Sequence, residues 1–520
     1  MQKPSILWAD DEIDLLKPHI LFLNGKGYDV TPVVSGADAV EMCKQHHFDL
    51  VFLDENMPGM NGLEALSQIK QLKPNLPIVM ITKNEEEHIM EEAIGAKIAD
   101  YLIKPINPNQ ILLSIKKLLD NKRLVEEKTN SNYQQKFRDI SMMLSDKLSF
   151  EEWIDVYKKL VFWELEIDRT QNKSMGEVFE MQKSEANNYF CKFIQNNYEK
   201  WLNDANAARP ILSNQLMKKK VFPLLEGDEP VFFLLIDNLR FDQWKIIEPL
   251  ITEYFSVDEE SAYYSILPTT TAYARNAIFS GIMPAEIEKK YPDLWMNEDD
   301  EGSKNNNEEE FLKSNLAKNK FDIKSSYHKI LSVEQGKSLL NSISNLMTNK
   351  LNVIVYNFVD MLSHSRTDMA MIKELAPDES AYRSITNSWF QHSTLFEIIK
   401  KLAEKKVKLV ITTDHGTIRV KRPFKIVGDK SVNNNLRYKV GKNLTFDEKD
   451  VLHVKNPERF QLPKKNMSSA YVFTIGDYFF AYPNNFNYYV NYYKDTFQHG
   501  GISLEEMIIP MVILSSKNGK

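Results

Sequence analysis

The chain has 520 residues, of which 43% are hydrophobic and 26% charged, with a net charge of -7. That length exceeds one core at roughly one domain per 150 residues, and no apolar run approaches the roughly 20 residues of a membrane span. The acidic balance argues against nucleic-acid binding as the main task, and two distant cysteines, Cys43 and Cys191, imply no disulfide framework. The opening MQKPSILWADDE runs straight into a strand pattern with no basic region or cleavage motif, so a reducing cytoplasm is the expected compartment.

Residues 1–120 alternate apolar runs with amphipathic stretches. The strand candidates SILWA, YDVTPV, DLVFLD, PIVMIT and DYLIK predict a doubly wound parallel α/β sheet. Such sheets bind ligands at the carboxyl ends of their strands, and the polar residues fall there. Asp10 and Asp11 follow the first strand, Asp54 ends the third, Thr82 the fourth, and Lys104-Pro105 the fifth. Three converging carboxylates can hold one Mg²⁺. A metal-activated Asp can attack a phosphoryl group, and an ammonium with a hydroxyl can stabilise the added oxygens. Taken singly, Asp10-Asp11 reads as a helix cap and Lys104-Pro105 as a turn; the ordered set favours the chemical reading.

This segment resembles the receiver domain of two-component response regulators, most specifically in DENMPGMNGLEAL. The resemblance implies that Asp54 accepts the phosphoryl group from a histidine kinase. It implies that Asp10 and Asp11 form the acidic pocket and that the Asn56 backbone carbonyl completes the Mg²⁺ site. Thr82, Tyr101 and Lys104 match the positions that sense and transmit phosphorylation, so new charge at Asp54 is expected to remodel the face carrying the last strand and helix.

Residues 121–222 are rich in Lys, Glu, Gln and Asn, with apolar residues at helical spacing. They predict a helical bundle that links the flanking domains or presents a dimer surface. Ser149 with Glu152 reads as a capping box. Trp153, Trp163 and Trp201 read as core, and Lys218-Lys219-Lys220 as a solvated helix end. No basic stripe accompanies a glycine-containing turn, so a DNA-binding helix-turn-helix is not expected.

Residues 223–515 again alternate strands and helices, with Pro223 to Glu229 read as the entering loop. WMNEDDEGSKNNNEEEF reads as a mobile insertion across 295–320, and KRPFKIVGDKSVNNNLRYKVGKNLTFDE as hairpins or an irregular extension. Each is either a lid or a plain surface loop. VFFLLID, NVIVYNFVD and KLVITTD deliver Asp237, Asp360 and Asp414 to strand ends, with His364 four residues after Asp360 and His415 beside Asp414; His499 precedes Gly500-Gly501. Burying such groups is costly unless something pairs with them. Divalent metals do, and Asp with His suits zinc or manganese. Each island alone reads equally as a turn, loop or cap. LPTTTAYARNAIFSG adds hydroxyls, and a hydroxyl beside two metals becomes a usable nucleophile. A helix starting near Ala272 would turn its free N–H groups to a phosphate. Arg275, one turn on, either touches that phosphate or forms a salt bridge.

This constellation resembles the alkaline phosphatase superfamily, and within it the PglZ branch. The resemblance implies two Zn²⁺ ions, one held by Asp360, His364 and His499, the other by Asp237, Asp414, His415 and the nucleophile. Thr271, three residues after Pro268, matches the nucleophile position of nucleotide phosphodiesterase relatives, with Thr270 as the fallback. Monoesterases of the superfamily place an Arg after the nucleophile; Ala272 stands there instead, which points to a nucleotide-type diester. The whole order resembles the PorX-type response regulators of type IX secretion. That implies a phosphorylation-driven homodimer and either a gated enzyme or a scaffold that docks a sigma factor or secretion component, with metals mainly structural.

Overall fold

The computed structural model describes residues 3–83, 98–170, 173–297, 303–357, 378–428, 433–464 and 468–517, with Val359, Ala376 and Asn466 between. The chain divides into two compact units, Met1–Gln134 and Gln135–Lys520.

In the first unit the five predicted strands form as β1 (Ser5–Ala9), β2 (Asp29–Val33), β3 (Leu50–Asp54), β4 (Ile78–Thr82) and β5 (Asp100–Ile103). All pairings are parallel, in the order β2-β1-β3-β4-β5. Alternate residues of β1 serve opposite faces. Leu7 and Ala9 join one buried cluster with helices α2 (Gly36–Gln45) and α3 (Gly62–Leu72), while Ile6 and Trp8 join another with α1 (Lys17–Gly25) and α4 (Pro108–Ile115). Caps fix the helix starts: Ser35 accepts from the Asp38 N–H, and Asn61-Glu64 and Asn107-Gln110 are reciprocal capping boxes. A side chain at Gly62 would run into the carbonyl oxygen of Asp54, so glycine lets α3 begin directly against the end of β3. The strand order reverses direction between β1 and β3, which opens the crevice at their carboxyl ends.

The second unit holds a six-stranded sheet in the order β7-β18-β10-β6-β9-β8. Its strands are β6 (Val231–Ile236), β7 (Phe255–Tyr264), β8 (Ser325–Ile330), β9 (Leu351–Tyr356), β10 (Lys408–Thr412) and β18 (Ile508–Ser516). β10, β6, β9 and β8 run parallel, and β18 runs antiparallel to β10 and β7. β6 and β9 are buried throughout, which is why VFFLLI and LNVIVY read as continuous apolar runs rather than alternations. Smaller pairings complete the unit: β11 (Ile418–Arg419) with β17 (Phe497–Gln498), β12 (Arg422–Lys425) with β16 (Tyr478–Ala481), and β13 (Tyr438–Gly441) and β14 (Val451–Val454) with β15 (Ala470–Thr474). The KRPFKIV stretch is therefore an extension whose strands pair with residues 470–481, not a set of local hairpins.

The helical stretch forms Asn121–Ser145, Phe150–Thr170 and Lys173–Asn203. Ser149 and Glu152 make the predicted capping box, with the Glu152 N–H donating to Ser149 Oγ at 3.2 Å and the Ser149 N–H to Glu152 Oε2 at 2.7 Å. Trp153 and Trp201 are buried, whereas Trp163 is only half-buried. These aromatics pack partly on the α/β sheet, since Trp201 meets Tyr264 edge-on at 5.6 Å and the Tyr264 hydroxyl donates to Phe150 O. From Gln135 onward the helices thus share one unit with the sheet. The entering loop is partly helical: Phe222–Glu226 forms a 3₁₀ turn with Phe222 and Leu225 buried, started by Pro223. The 295–320 insertion is docked where it is described, with Trp295, Asn305, Glu308 and Phe311 buried; the mobile reading of this segment does not hold for those residues. Both cysteines are buried and free. Among the described residues no helix is long and apolar enough to cross a membrane.

Candidate functional site

Two acidic centres stand at strand ends, one in each unit. In the first unit Asp10 leaves β1 and Asp54 ends β3, and with Asp11 their carboxylate oxygens lie within 4.8 Å of one another. Asp10 and Asp54 are buried and Asp11 is exposed. Lys104, just past β5, bridges the buried pair at 2.9 Å from Asp10 Oδ2 and 2.8 Å from Asp54 Oδ1. Burial pushes the Asp54 carboxyl up, offset in part by Lys104. Burial would lower the Lys104 ammonium, but Asp54 and Asp10 outweigh it and hold it above its ordinary value. Three carboxylates with one open to water suit an oxygen-seeking ion that keeps part of its hydration, so Mg²⁺ fits, with exposed Asn56 following on the same loop. Thr82 ends β4, and its hydroxyl donates to Glu55. Glu55 is a partner the sequence reading missed; nothing in its spacing marks it. Tyr101 on β5 packs half-buried against the Leu7 cluster.

The second centre arises because β6 and β10 are adjacent and parallel. Their carboxyl ends deliver Asp237 and Asp414 side by side, with His415 next in the chain, and ligand atoms of these three lie within 4.8 Å of one another. Asn238, at φ 63°, turns the chain away after Asp237. Thr271 opens the helical turn Thr271–Arg275 that runs into the helix Asn276–Ser280. Its Oγ1 stands 3.1 Å from His415 Nε2 and 3.4 Å from Asp237 Oδ1. Thr270, the fallback, is buried with no partner for its hydroxyl among the described residues, and Thr269 is spent on Gly501 O and the Gly500 N–H. The β11–β17 ribbon brings His499 beside His415, the two rings stacked at 4.3 Å and 17°. Each imidazole turns Nδ1 to a backbone carbonyl, His415 to Gly416 O at 3.1 Å and His499 to Thr269 O at 3.3 Å. A carbonyl only accepts, so Nδ1 carries a proton, and in the neutral ring Nε2 then keeps the lone pair a metal needs. Asp360 and His364 lie outside the described residues.

Arg275 resolves the choice left open by the sequence: it forms salt bridges. Fully buried, it donates from Nε to Asp414 Oδ2 at 2.9 Å, pairs through Nη2 with Asp237, and faces Glu308 Oε1 at 3.6 Å. Burial would push the Asp414 carboxyl up, but Arg275, with His415, outweighs it and holds the group well below the usual carboxylate range. Glu308 is itself held by the Tyr327 hydroxyl and by Lys329 at 3.3 Å. Asn305 donates to the Thr271 carbonyl oxygen at 2.9 Å. Asn305 and Glu308 escaped the sequence reading because the polar run around them looks like solvated loop. Three fully buried carboxylates, Asp237, Asp414 and Glu308, thus face the Arg275 guanidinium, with Lys329 also on Glu308, and the two aspartates share the one guanidinium, an excess of negative charge that a divalent cation would offset. Two carboxylates, an imidazole nitrogen and a hydroxyl fit zinc or manganese.

Comparison with known proteins divides the chain in three. The receiver domain model of response regulators matches residues 6–116, that of the PorX response regulator linker domain residues 123–202, and that of the BREX system PglZ alkaline phosphatase-like domain residues 216–514. This is the PorX-like order of parts. The transcriptional regulatory protein ZraR of Escherichia coli O157:H7 is 32% identical over 125 residues, 24% of this chain and 28% of that one. The transcriptional regulatory protein ResD of Bacillus subtilis (strain 168) is 32% identical over 115 residues, 22% of this chain and 48% of that one. The chain therefore spans less than half the length of these two curated relatives. Among solved structures, the chemotaxis protein CheY4 of Vibrio cholerae is 26% identical, covering 22% of this chain and 99% of its own, with a TM-score of 0.22.

Replacing Arg275 with Met in metal-free protein leaves Asp237 and Asp414 uncompensated. Urea unfolding is expected to show a loss of about 3–5 kcal/mol, against less than about 1 kcal/mol for Arg169→Met, which breaks an exposed pair with Glu166. Equal losses would mean that Arg275 does not balance the site.

Proposed function

The chain belongs to the PglZ alkaline phosphatase-like family, and from that premise we propose that it is a response regulator whose receiver, phosphorylated on Asp54, gates a two-metal phosphodiesterase acting on nucleotide-type substrates. The observation that carries the reading is the meeting of Thr271 Oγ1 with Asp237 and His415, whose ligand atoms cluster with those of Asp414. A scaffold that only docks a sigma factor or secretion component leaves Thr271 without a role. Type IX secretion is the process this order of domains suggests.

In this reading Asp237, Asp414, His415 and Thr271 hold one divalent ion, and His499 with Asp360 and His364 the other. When bound, the ions supply Lewis acidity that favours the ionised hydroxyl and screens the phosphoryl oxygens. Thr271 Oγ1 attacks phosphorus in line and the leaving alcohol departs, giving a phosphothreonine. Water then attacks the same phosphorus, the P–Oγ1 bond breaks, a water proton returns to Thr271 Oγ1, and a phosphate monoester is released. Asn305 fixes the backbone of Thr271 from behind, and Arg275 fixes the two carboxylates it would otherwise leave to repel. The nearest guanidinium along the chain is thereby committed to protein carboxylates, and Ala272 offers none. That favours a diester, with one charge to neutralise, over a monoester with two.

Thr271→Val should lower Zn²⁺-dependent hydrolysis of bis(p-nitrophenyl) phosphate on the order of 10³-fold or more while leaving zinc stoichiometry near two. Equal turnover by parent and variant would remove Thr271 from the mechanism. For the gate, beryllofluoride with Mg²⁺ is expected to convert monomer to dimer in sedimentation velocity, and Asp54→Asn to abolish the response; an unchanged sedimentation coefficient would sink the gating model.

A further inference from the structure

The helix Lys173–Asn203 buries an unusual face. Lys183, Asn187, Cys191 and Gln195 recur every four residues, so they share one side of the helix, and each makes a specific polar contact with the α/β part of its own unit. Cys191 Sγ donates to Ile502 O and accepts from the Gly476 N–H. Gln195 donates to Val451 O at 3.2 Å. Asn187 and Lys183 reach the turn Leu504–Met507. Asn187 Oδ1 accepts from the Leu504 N–H at 2.8 Å, its Nδ2 donates to Glu505 Oε2 at 3.1 Å, and Lys183 Nζ lies 3.2 Å from Glu505 Oε1. Lys183 also pairs with Glu164 of Phe150–Thr170 at 3.0 Å. Lys183, Asn187 and Glu505 are all buried. Helix packing alone is served better by apolar residues, so the stripe specifies a register.

That register bears on the candidate metal site. The Glu506 carboxylate accepts from the Gly501 N–H at 2.9 Å, from the Ser503 hydroxyl at 2.7 Å and from Arg437 Nη2 at 2.6 Å. Its carbonyl oxygen accepts from the Gly416 N–H at 3.3 Å. Glu505 O lies so close to Gly416 that any side chain there would strike it. The turn therefore seats Gly416 beside His415 and Gly501 two residues from His499.

We propose that Lys183 and Asn187 are positioning residues for both histidines, acting through the Glu505-Glu506 turn, so that the linker helix is a structural wall of the metal site and not a tether. The proposal rests on the metal-dependent reading above. Its test is zinc affinity, measured on the full chain by competition with a chromophoric chelator, alongside kcat and KM on bis(p-nitrophenyl) phosphate and the thermal midpoint. Asn187→Leu and Lys183→Met should each weaken zinc binding by about tenfold or more and lower kcat with KM near the parental value. Gln195→Leu removes a half-buried contact on the same helix face away from the turn and should lower the midpoint only. Asn187→Ser and Lys183→Gln give the same reading should the first pair not fold. Variants with reduced midpoints but parental zinc affinity and kcat would overturn the proposal. A parent chain that neither binds zinc nor turns over would overturn the metal-dependent reading instead.

Discussion

Arg275 is the contact on which the second unit turns. Two parallel neighbouring strands end in aspartates, and two carboxylates without solvent repel strongly unless a cation lies between them. A guanidinium satisfies both at once because its planar fork offers Nε to Asp414 and Nη2 to Asp237. Arg275 reaches them because it sits one helical turn after Thr271, so the group that balances the carboxylates and the hydroxyl proposed as nucleophile are set by the same turn. Glu308 then balances the guanidinium from the far side, which is why a stretch of Asn and Glu that looks solvated is locked down at Asn305 and Glu308.

The first unit solves the same problem with a different cation. Lys104 bridges Asp10 and Asp54 at the ends of the adjacent strands β1 and β3, as Arg275 bridges Asp237 and Asp414 at the ends of β6 and β10. The choice of cation matches the task. A lysine is a point charge on a flexible stem, suited to follow a phosphoryl group at Asp54 in the proposed function; a buried arginine holds a fixed plane. In the receiver, Glu55 holds the Thr82 hydroxyl until something displaces it. In the second unit, the scaffold proposed here is meant to stay still: each imidazole is pinned through Nδ1, and the turn behind them is clamped by Arg437 and by the linker helix.

Much of this was legible in the chain. Buried parallel strands announce themselves as apolar runs, so β1, β3, β4, β6 and β10 were read nearly to the residue, and with them Asp54, Asp237 and Asp414, since a carboxylate closing such a run is conspicuous; the run read for β9 continues to Asp360, past the strand's end at Tyr356. The Ser149-Glu152 box was legible because capping is local. What stayed hidden depends on contacts far apart in sequence. Nothing near His499 says that β17 will pair with β11 and stack it on His415. Nothing in NNNEEE says that Asn305 and Glu308 are buried, because composition reports the average environment of a segment and not the two positions that turn inward. The linker helices look like an independent bundle for the same reason: part of the face that meets the sheet unit, from Lys183 to Gln195, is polar, and a polar stripe reads as surface until its partners are known.

The account stands on one claim, that Asp237, Asp414, His415 and Thr271 enclose a divalent ion with Arg275 behind the carboxylates. Anomalous diffraction at the zinc edge from zinc-loaded crystals tests it most directly. The account predicts a peak at roughly 2.0–2.2 Å from His415 Nε2 and from an oxygen of each aspartate, with Thr271 Oγ1 turned toward it and the Arg275 guanidinium still bridging Asp237 and Asp414. A map with zinc bound elsewhere and no density among these four side chains would contradict it.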